Sequence, residues 1–245
     1  VPVGGVTALR DSIERGETMA PTVRTAGDMI DADDAVFPYA VRVHDEAGVR
    51  REVRRQAALR VDFIKLYTGL PPDLAAAAID EAHAHGLKVI GHLGRTTWGE
   101  AAASGIDALT HSYIAGLAHS IVPAAEREAL RGFYFPNAAF EPALFDRWQA
   151  VMRADSSGLL QLAERLSAAR ITVDPNLVLG EAILFGDQPS VLERNEPTLA
   201  LPAQQVAWRG KRHPYSESWT PAQMASAQRA WPVMLGFDLV AALTL

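Results

Sequence analysis

Three side chains capable of chemistry close three successive apolar runs. Lys65 lies in "DFIKLYTGLPPD" (62–73), His92 in "LKVIGHLG" (87–94) and His111 in "IDALTHSY" (106–113). Lysine is among the residues least often buried without a partner, and this chain has three lysines beside 20 arginines. A lysine inside a core-like strand therefore asks for a chemical reason. Side chains alternate along a strand, so Phe63, Lys65 and Tyr67 share one face, and Lys88, Ile90 and His92 share a face of the next strand. In the third strand Asp107, Leu109 and His111 share a face, with Ile106, Ala108 and Thr110 opposite. With the apolar faces turned outward, Lys65, His92 and His111 meet at one point. A lysine in a dry pocket spends more time as the neutral amine. That amine can add carbon dioxide to give a carbamate, whose two oxygens can bridge two divalent cations. Neutral imidazoles suit the same borderline metals. Two cations bridged in this way would generate hydroxide near neutral pH and polarise a carbonyl.

The elements that must position these residues alternate between strand and helix. Strands are predicted near 5–11, 23–28, 62–67, 87–92, 106–111 and 171–174, the last opening the run "ITVDPNLVL" (171–179), read as strand throughout. Helices are predicted over 45–60, 71–86, 95–105 and 122–132, and over a long stretch ending near Arg170. A last helix is expected to be interrupted at Trp231-Pro232. Strands separated by 10–15 helical residues, an order-of-magnitude spacing for βαβ units, imply a parallel α/β sheet. In a (β/α) barrel the C-terminal strand ends carry the chemistry, and Lys65, His92 and His111 all stand at such ends. Residues 186–222, rich in proline, polar and aromatic residues, read as a long ordered loop inside a single domain spanning 1–245.

Composition removes several function classes. The 245 residues are 49% hydrophobic and 21% charged, with a net charge of −6, so neither nucleic acid nor an anionic membrane is an expected partner. The absence of cysteine excludes disulfides and thiolate metal sites. No apolar run approaches the roughly 18 residues of a membrane span. The chain opens on "VPVGGVTALRD", which reads like the middle of something. The N-terminus is taken as not represented, and the compartment is left open with the cytoplasm favoured.

The motifs "GVTALRDS", "DFIKLYTGLPPD", "AIDEAHAHGLKVIGHLG", "GIDALTHSY" and "ITVDPNLVL", in this order, resemble the amidohydrolase superfamily. Within it the chain is similar to metal-dependent hydrolases related to imidazolonepropionases and prolidase-like Xaa-dipeptidases. The resemblance implies a (β/α)8 TIM barrel of the amidohydrolase type and hydrolysis of an amide bond in a small molecule, a dipeptide or N-acyl amino acid. It also implies a divalent metal, zinc being expected, as one or two ions bridged by carboxylated Lys65. His92 matches the fifth-strand histidine. His111 matches the sixth-strand histidine, although Thr110 stands where a glutamate more often precedes it. Tyr67, Arg95 and Tyr113 are the substrate-binding candidates. The family's first-strand His-x-His pair, its eighth-strand catalytic aspartate and its flanking β-sandwich have no counterpart here. The expectation is therefore an incomplete barrel, catalytically inactive as it stands and prone to self-association through open sheet edges, a homo-oligomer included.

Other polar residues have simpler readings. His83 and His85 imitate His-x-His but fall at a helix C-terminus, where histidine suits the dipole. His44, His119 and His213 have no partner pattern, Asp11 pairs locally, and Trp208, Trp219 and Trp231 read as loop packing. Asp174 or Glu181 would be the substitute base if this chain were active. Two other classes stay open: a Schiff-base lyase or aldolase using Lys65, and a non-catalytic scaffold.

Overall fold

The computed structural model describes residues 3–33, 35, 37–111, 115–130, 149–151, 153, 157–188 and 216–244. Six strands form one all-parallel sheet: β1 (Ile30–Asp31), β2 (Val41–Arg42), β3 (Phe63–Leu66), β4 (Lys88–Gly91), β5 (Ala108–Thr110) and β6 (Thr172–Asp174). Their order is β2-β1-β3-β4-β5-β6. Only β2 steps out of sequence, pairing outside β1 as Ile30 with Val41 and Asp31 with Arg42.

The helices α1 (Val3–Glu14), α2 (Glu46–Ala58), α3 (Pro72–Ala84), α4 (Trp98–Ala103), α5 (Ala115–Ile121), α6 (Ala124–Leu130), α7 (Ser157–Ala168), α8 (Leu177–Phe185) and α9 (Pro221–Thr244) accompany the sheet. Helix α3 shows why such segments fold as they do. Pro72 sits in the first turn, where its missing N–H costs nothing. Leu74, Ala75, Ala78, Ile79 and Ala82 recur at helical spacing and are buried. The helix ends at Gly86 (φ +70°), with Leu87 N–H donating to Ala82 O at 2.9 Å. Arg60 (φ 56°) and Arg170 (φ 55°) make the same left-handed exit after α2 and α7 without glycine's freedom.

The outer face of the sheet packs on these helices. Ile64, Leu66, Val89 and Leu109 are fully buried in one core with Val49 and Val53 of α2, Ile79 of α3 and Trp98 of α4. A smaller cluster joins Ile183 and Leu184 of α8 to Trp219 and to Met224 and Ala227 of α9. Trp219 and Trp231 pack in and against it, whereas Trp208 and most of the predicted 186–222 loop lie outside the described residues.

Four expectations need correction. Residues 5–11 are helical, because Val3, Thr7 and Arg10 are buried at helical rather than alternating spacing. The Arg10 guanidinium is held by Arg60 O at 2.6 Å and Asp62 at 3.3 Å. The strand predicted at 23–28 is reduced to one bridge between Ala26 and Phe63 before β1. The third concerns the stretch after β6, which turns into α8 at once rather than extending the strand. Finally, α9 runs through Pro232 without a break. Contacts with α8 hold it there: Gln228 Nε2 donates to Leu184 O at 2.7 Å, and Trp231 lies 6.3 Å from Phe185 between ring centroids. No helix among the described residues is long and apolar enough to cross a membrane.

A side chain at Gly116 in α5 would place its Cβ 2.3 Å from Leu93 O, a backbone atom that cannot swing aside. Gly116→Ala should destabilise the fold by about 1–3 kcal/mol through overpacking. Gly4→Ala in α1, with nothing within 4 Å, should be neutral or stabilising by up to about 1 kcal/mol. Urea midpoints of the two variants compare them directly.

Candidate metal centre

Register builds the site. Lys65 pairs with Ile90, and Ile90 with Ala108, while Ala108 pairs with Thr172. Paired residues on parallel strands face the same way, so these four share the inner face. One step further toward the C-terminal ends lie Asp31, Tyr67, His92, Thr110 and Asp174, in neighbouring strand positions. The row below is the outer one, Ile30, Leu66, Gly91, Leu109 and Val173.

That register corrects the face assigned to the third strand. Leu109 is buried against the helices, and Ala108 and Thr110 face inward. Alternation alone would carry His111 outward with Leu109. Instead His111 adopts φ 67°, leaves the strand, and its ring centroid stands 4.3 Å from that of His92. A left-handed non-glycine residue is held only where its surroundings over-determine it. Here His111 N–H donates to Asp174 O at 2.8 Å, and its Nδ1 faces Asn176 Nδ2 at 3.2 Å. Asn176 is itself left-handed, at φ 52°.

The three expected residues therefore come together, by a route the sequence pattern did not show. Lys65 Nζ donates to Thr110 Oγ1 at 3.2 Å, and Thr110 Oγ1 donates to Gly91 O at 3.2 Å. Burial lowers the Lys65 amine to about 8, with the nearby Asp174 charge pulling the other way. Burial, helped by Lys65 and opposed by Asp174, lowers His111 to about 4. His92 is held well below the ordinary histidine range by burial, then by His111 and Lys65. Both histidines favour the neutral form that ligates metals, and Lys65 holds a larger neutral fraction, the form that adds carbon dioxide, than a solvated lysine does.

Of the substrate-binding candidates, Tyr67 lies at the site, its ring 4.5 Å from His92 between centroids. Arg95 sits in the loop after β4, half-buried, its backbone N–H bonded to Thr68 O at 2.8 Å. Tyr113 lies outside the described residues. The histidines of "HAH" are elsewhere: His83 meets Asp107 at 3.0 Å and His85 meets Glu81 at 3.3 Å. Asp107 also accepts from Val89 N–H at 2.8 Å, at the opposite end of the sheet from Lys65. Sequence reading missed Thr110 and Asn176 as neighbours of the site, and also Asp31. The fully buried Asp31 accepts from Ala32 N–H at 2.9 Å and Gly69 N–H at 2.8 Å, pinning the turn after β3. Counting its position from Ile30 would have placed Asp31 in the inner row.

Among the described residues no three His, Cys, Asp or Glu side chains converge as a metal set. A cation here depends on Lys65 as third ligand beside His92 and His111. The donor chemistry fits on that condition: two neutral imidazoles and a lysine poised toward its neutral amine. Asn176 holds the ring: its Nδ2 stands as donor against His111 Nδ1, and a lone pair on Nε2 for a cation would require the amide turned so that its oxygen accepts from Nδ1–H.

No family model matches this chain, and no curated protein matches it. Among solved structures it is similar to bottromycin amidohydrolase, at 16% identity and TM-score 0.64, over 97% of this chain and 48% of that one. It is also similar to another amidohydrolase, at 14% identity and TM-score 0.52, over 98% of this chain and 50% of that one. An uncharacterized protein matches at 14% identity and TM-score 0.52, over 97% and 49%. The chain thus spans about half the length of these structures. The resemblance read from the motifs is met at the level of fold: this is a parallel α/β structure matching part of an amidohydrolase TIM barrel.

Two measurements test the electrostatics. With three lysines in the chain, an NMR titration of labelled lysine should show one resonance titrating near pH 8, absent in Lys65→Met. A value in the ordinary range near 10.5 would mean the amine is solvated. For His111 the unfolded chain binds more protons than the native state between the ordinary value of 6.5 and about 4. Stability should therefore fall as pH drops through that window, and fall less steeply in His111→Asn, as read from urea midpoints.

Proposed function

We propose that this chain forms part of the catalytic barrel of a metal-dependent hydrolase that cleaves amide bonds in small molecules, with a dipeptide or N-acyl amino acid as substrate. The observation that carries this reading is the meeting of Lys65, His92 and His111 at the C-terminal end of a parallel sheet, with burial favouring the neutral form of each. In a (β/α) barrel that end is where chemistry is done. Lys65 as its carbamate, with His92 and His111, would hold a divalent cation, zinc by the chemistry of the set. When bound, the cation supplies Lewis acidity to the scissile carbonyl and the attacking water.

The chain's own residues have separate tasks. Thr110 orients Lys65 through its hydroxyl, and Asn176 holds the ring of His111 through Nδ1. Asp174, exposed at the end of β6 beside both bases, is placed to accept a proton from the attacking water. Asp31 holds the Tyr67–Gly69 turn as one wall of the site.

A second reading has one observation in its favour. A buried lysine lowered to about 8 is also the nucleophile of Schiff-base chemistry.

Bound zinc, measured per chain after loading and desalting, separates the two readings. Lys65→Ala should lose zinc and any dipeptide or N-acyl amino acid hydrolysis together, and a short carboxylic acid should restore part of both. Unchanged zinc and turnover in Lys65→Ala would remove the lysine from the metal site. Borohydride trapping of a carbonyl ligand on Lys65, with activity insensitive to chelator, would establish the lyase reading instead.

A further inference from the structure

Five rings stand in line from solvent to the lysine. Tyr39 stacks on Phe37 with centroids 5.2 Å apart, Phe37 lies 5.5 Å from Tyr67, and Tyr67 lies 4.5 Å from His92. The His92–His111 contact at 4.3 Å completes the run. Exposure falls along it, from 66% at Tyr39 through half-buried Phe37 to 6% at Tyr67. Phe37 and Tyr39 belong to the turn joining β1 to β2, closed by Ala40 N–H donating to Phe37 O at 3.1 Å. The Phe37–Tyr67 contact brings Phe37 to the sheet end that carries Lys65.

Ordinary core packing does not account for these rings. Phe37, Tyr39 and Tyr67 belong to neither of the two apolar clusters among the described residues. An aromatic ring left two-thirds exposed and stacked on a half-buried one keeps apolar faces in contact with water. Covering such faces is favourable, and ring pairs at these separations add directional attraction beyond the area buried. Asp31, beside Tyr67 in the inner row, already accepts from two backbone amides. The ring faces that lead to the bases suit an apolar group.

We propose that Phe37, Tyr39 and Tyr67 form the substrate subsite for a large apolar or aromatic group next to the scissile bond, delivering that bond to Lys65, His92 and His111. The proposal rests on the hydrolase reading for what happens at the bond, but not for what binds.

Titration calorimetry on the 245-residue chain tests it with four probes: N-acetyl-phenylalanine, N-acetyl-leucine, N-acetyl-lysine and N-acetyl-aspartate. The phenylalanine and leucine compounds should bind at least about tenfold more tightly than the other two, and Phe37→Ala should bring all four within about threefold. Tyr39→Ala should reduce the preference less. It also carries the test if Phe37→Ala does not fold by circular dichroism, because the exposed Tyr39 ring supports no core. Equal or inverted ranking, no detectable binding, or a ranking untouched by removing either ring overturns the subsite. The same ranking in Lys65→Ala separates the two proposals. Selective binding by a chain that retains no zinc through Lys65 removes the metal-hydrolase reading and leaves the subsite standing, whereas zinc retention without selectivity does the reverse.

Discussion

Three basic side chains crowded at one end of a sheet cannot all be charged, and the arrangement around Lys65, His92 and His111 answers that limit. In water each would keep its ordinary protonation. Here burial dominates all three shifts, and Lys65 pushes both histidines further down, as His111 does His92. Asp174 is the counterweight, stabilising positive charge on Lys65 and His111 without cancelling the burial. The result is a pair of histidines neutral at neutral pH beside a lysine whose neutral fraction is raised well above that of a solvated amine.

Holding such a cluster costs conformational energy, which is spent at identifiable residues. His111 and Asn176 both occupy the left-handed region, each unfavourable by about 1–2 kcal/mol for a residue with a side chain. Their mutual contact and the bond from His111 N–H to Asp174 O are what those conformations make possible. The turns above the sheet are tied to one another in the same region. Asp31 accepts from Gly69 N–H, Thr68 O accepts from Arg95 N–H, Thr96 Oγ1 donates to Leu70 O, and Gly116 N–H donates to Leu93 O. Each bond joins the turn after one strand to the strand or turn beside it, so the strand ends carrying the bases move as one piece.

The opposite end of the sheet has a different task. Arg10, Arg24 and Thr25 N–H converge on Asp62, and His83 and Val89 N–H on Asp107. These are pairs between neighbouring elements that seal strand beginnings, with no crowding of like charge. The carboxylates here neutralise cations, whereas at the other end histidine and lysine stand together. That contrast in chemistry divides the stabilising end of the fold from the end proposed to react.

How much of this was legible in the residues follows from which forces are local. The period-two alternation in β3 and β4 and the alanine-rich face of α3 are local patterns, and so is the glycine exit at Gly86. They determined a parallel α/β fold and placed Lys65 and His92 correctly. Helix α1 was misread because buried Arg10 reports contacts with Arg60 and Asp62, 50 and 52 residues along the chain. Strand β5 was misread because its inner face depends on pairing with β4 and β6, and a shift of one residue exchanges the faces. His111 reaches the site only because its backbone leaves the strand at positive φ, a conformation maintained by Asp174 at the end of β6 and Asn176 just past it. The sequence by itself singled out Lys65, His92 and His111 as candidate bases; the tertiary structure decided how they meet, because register and left-handed backbone are set by contacts between distant segments.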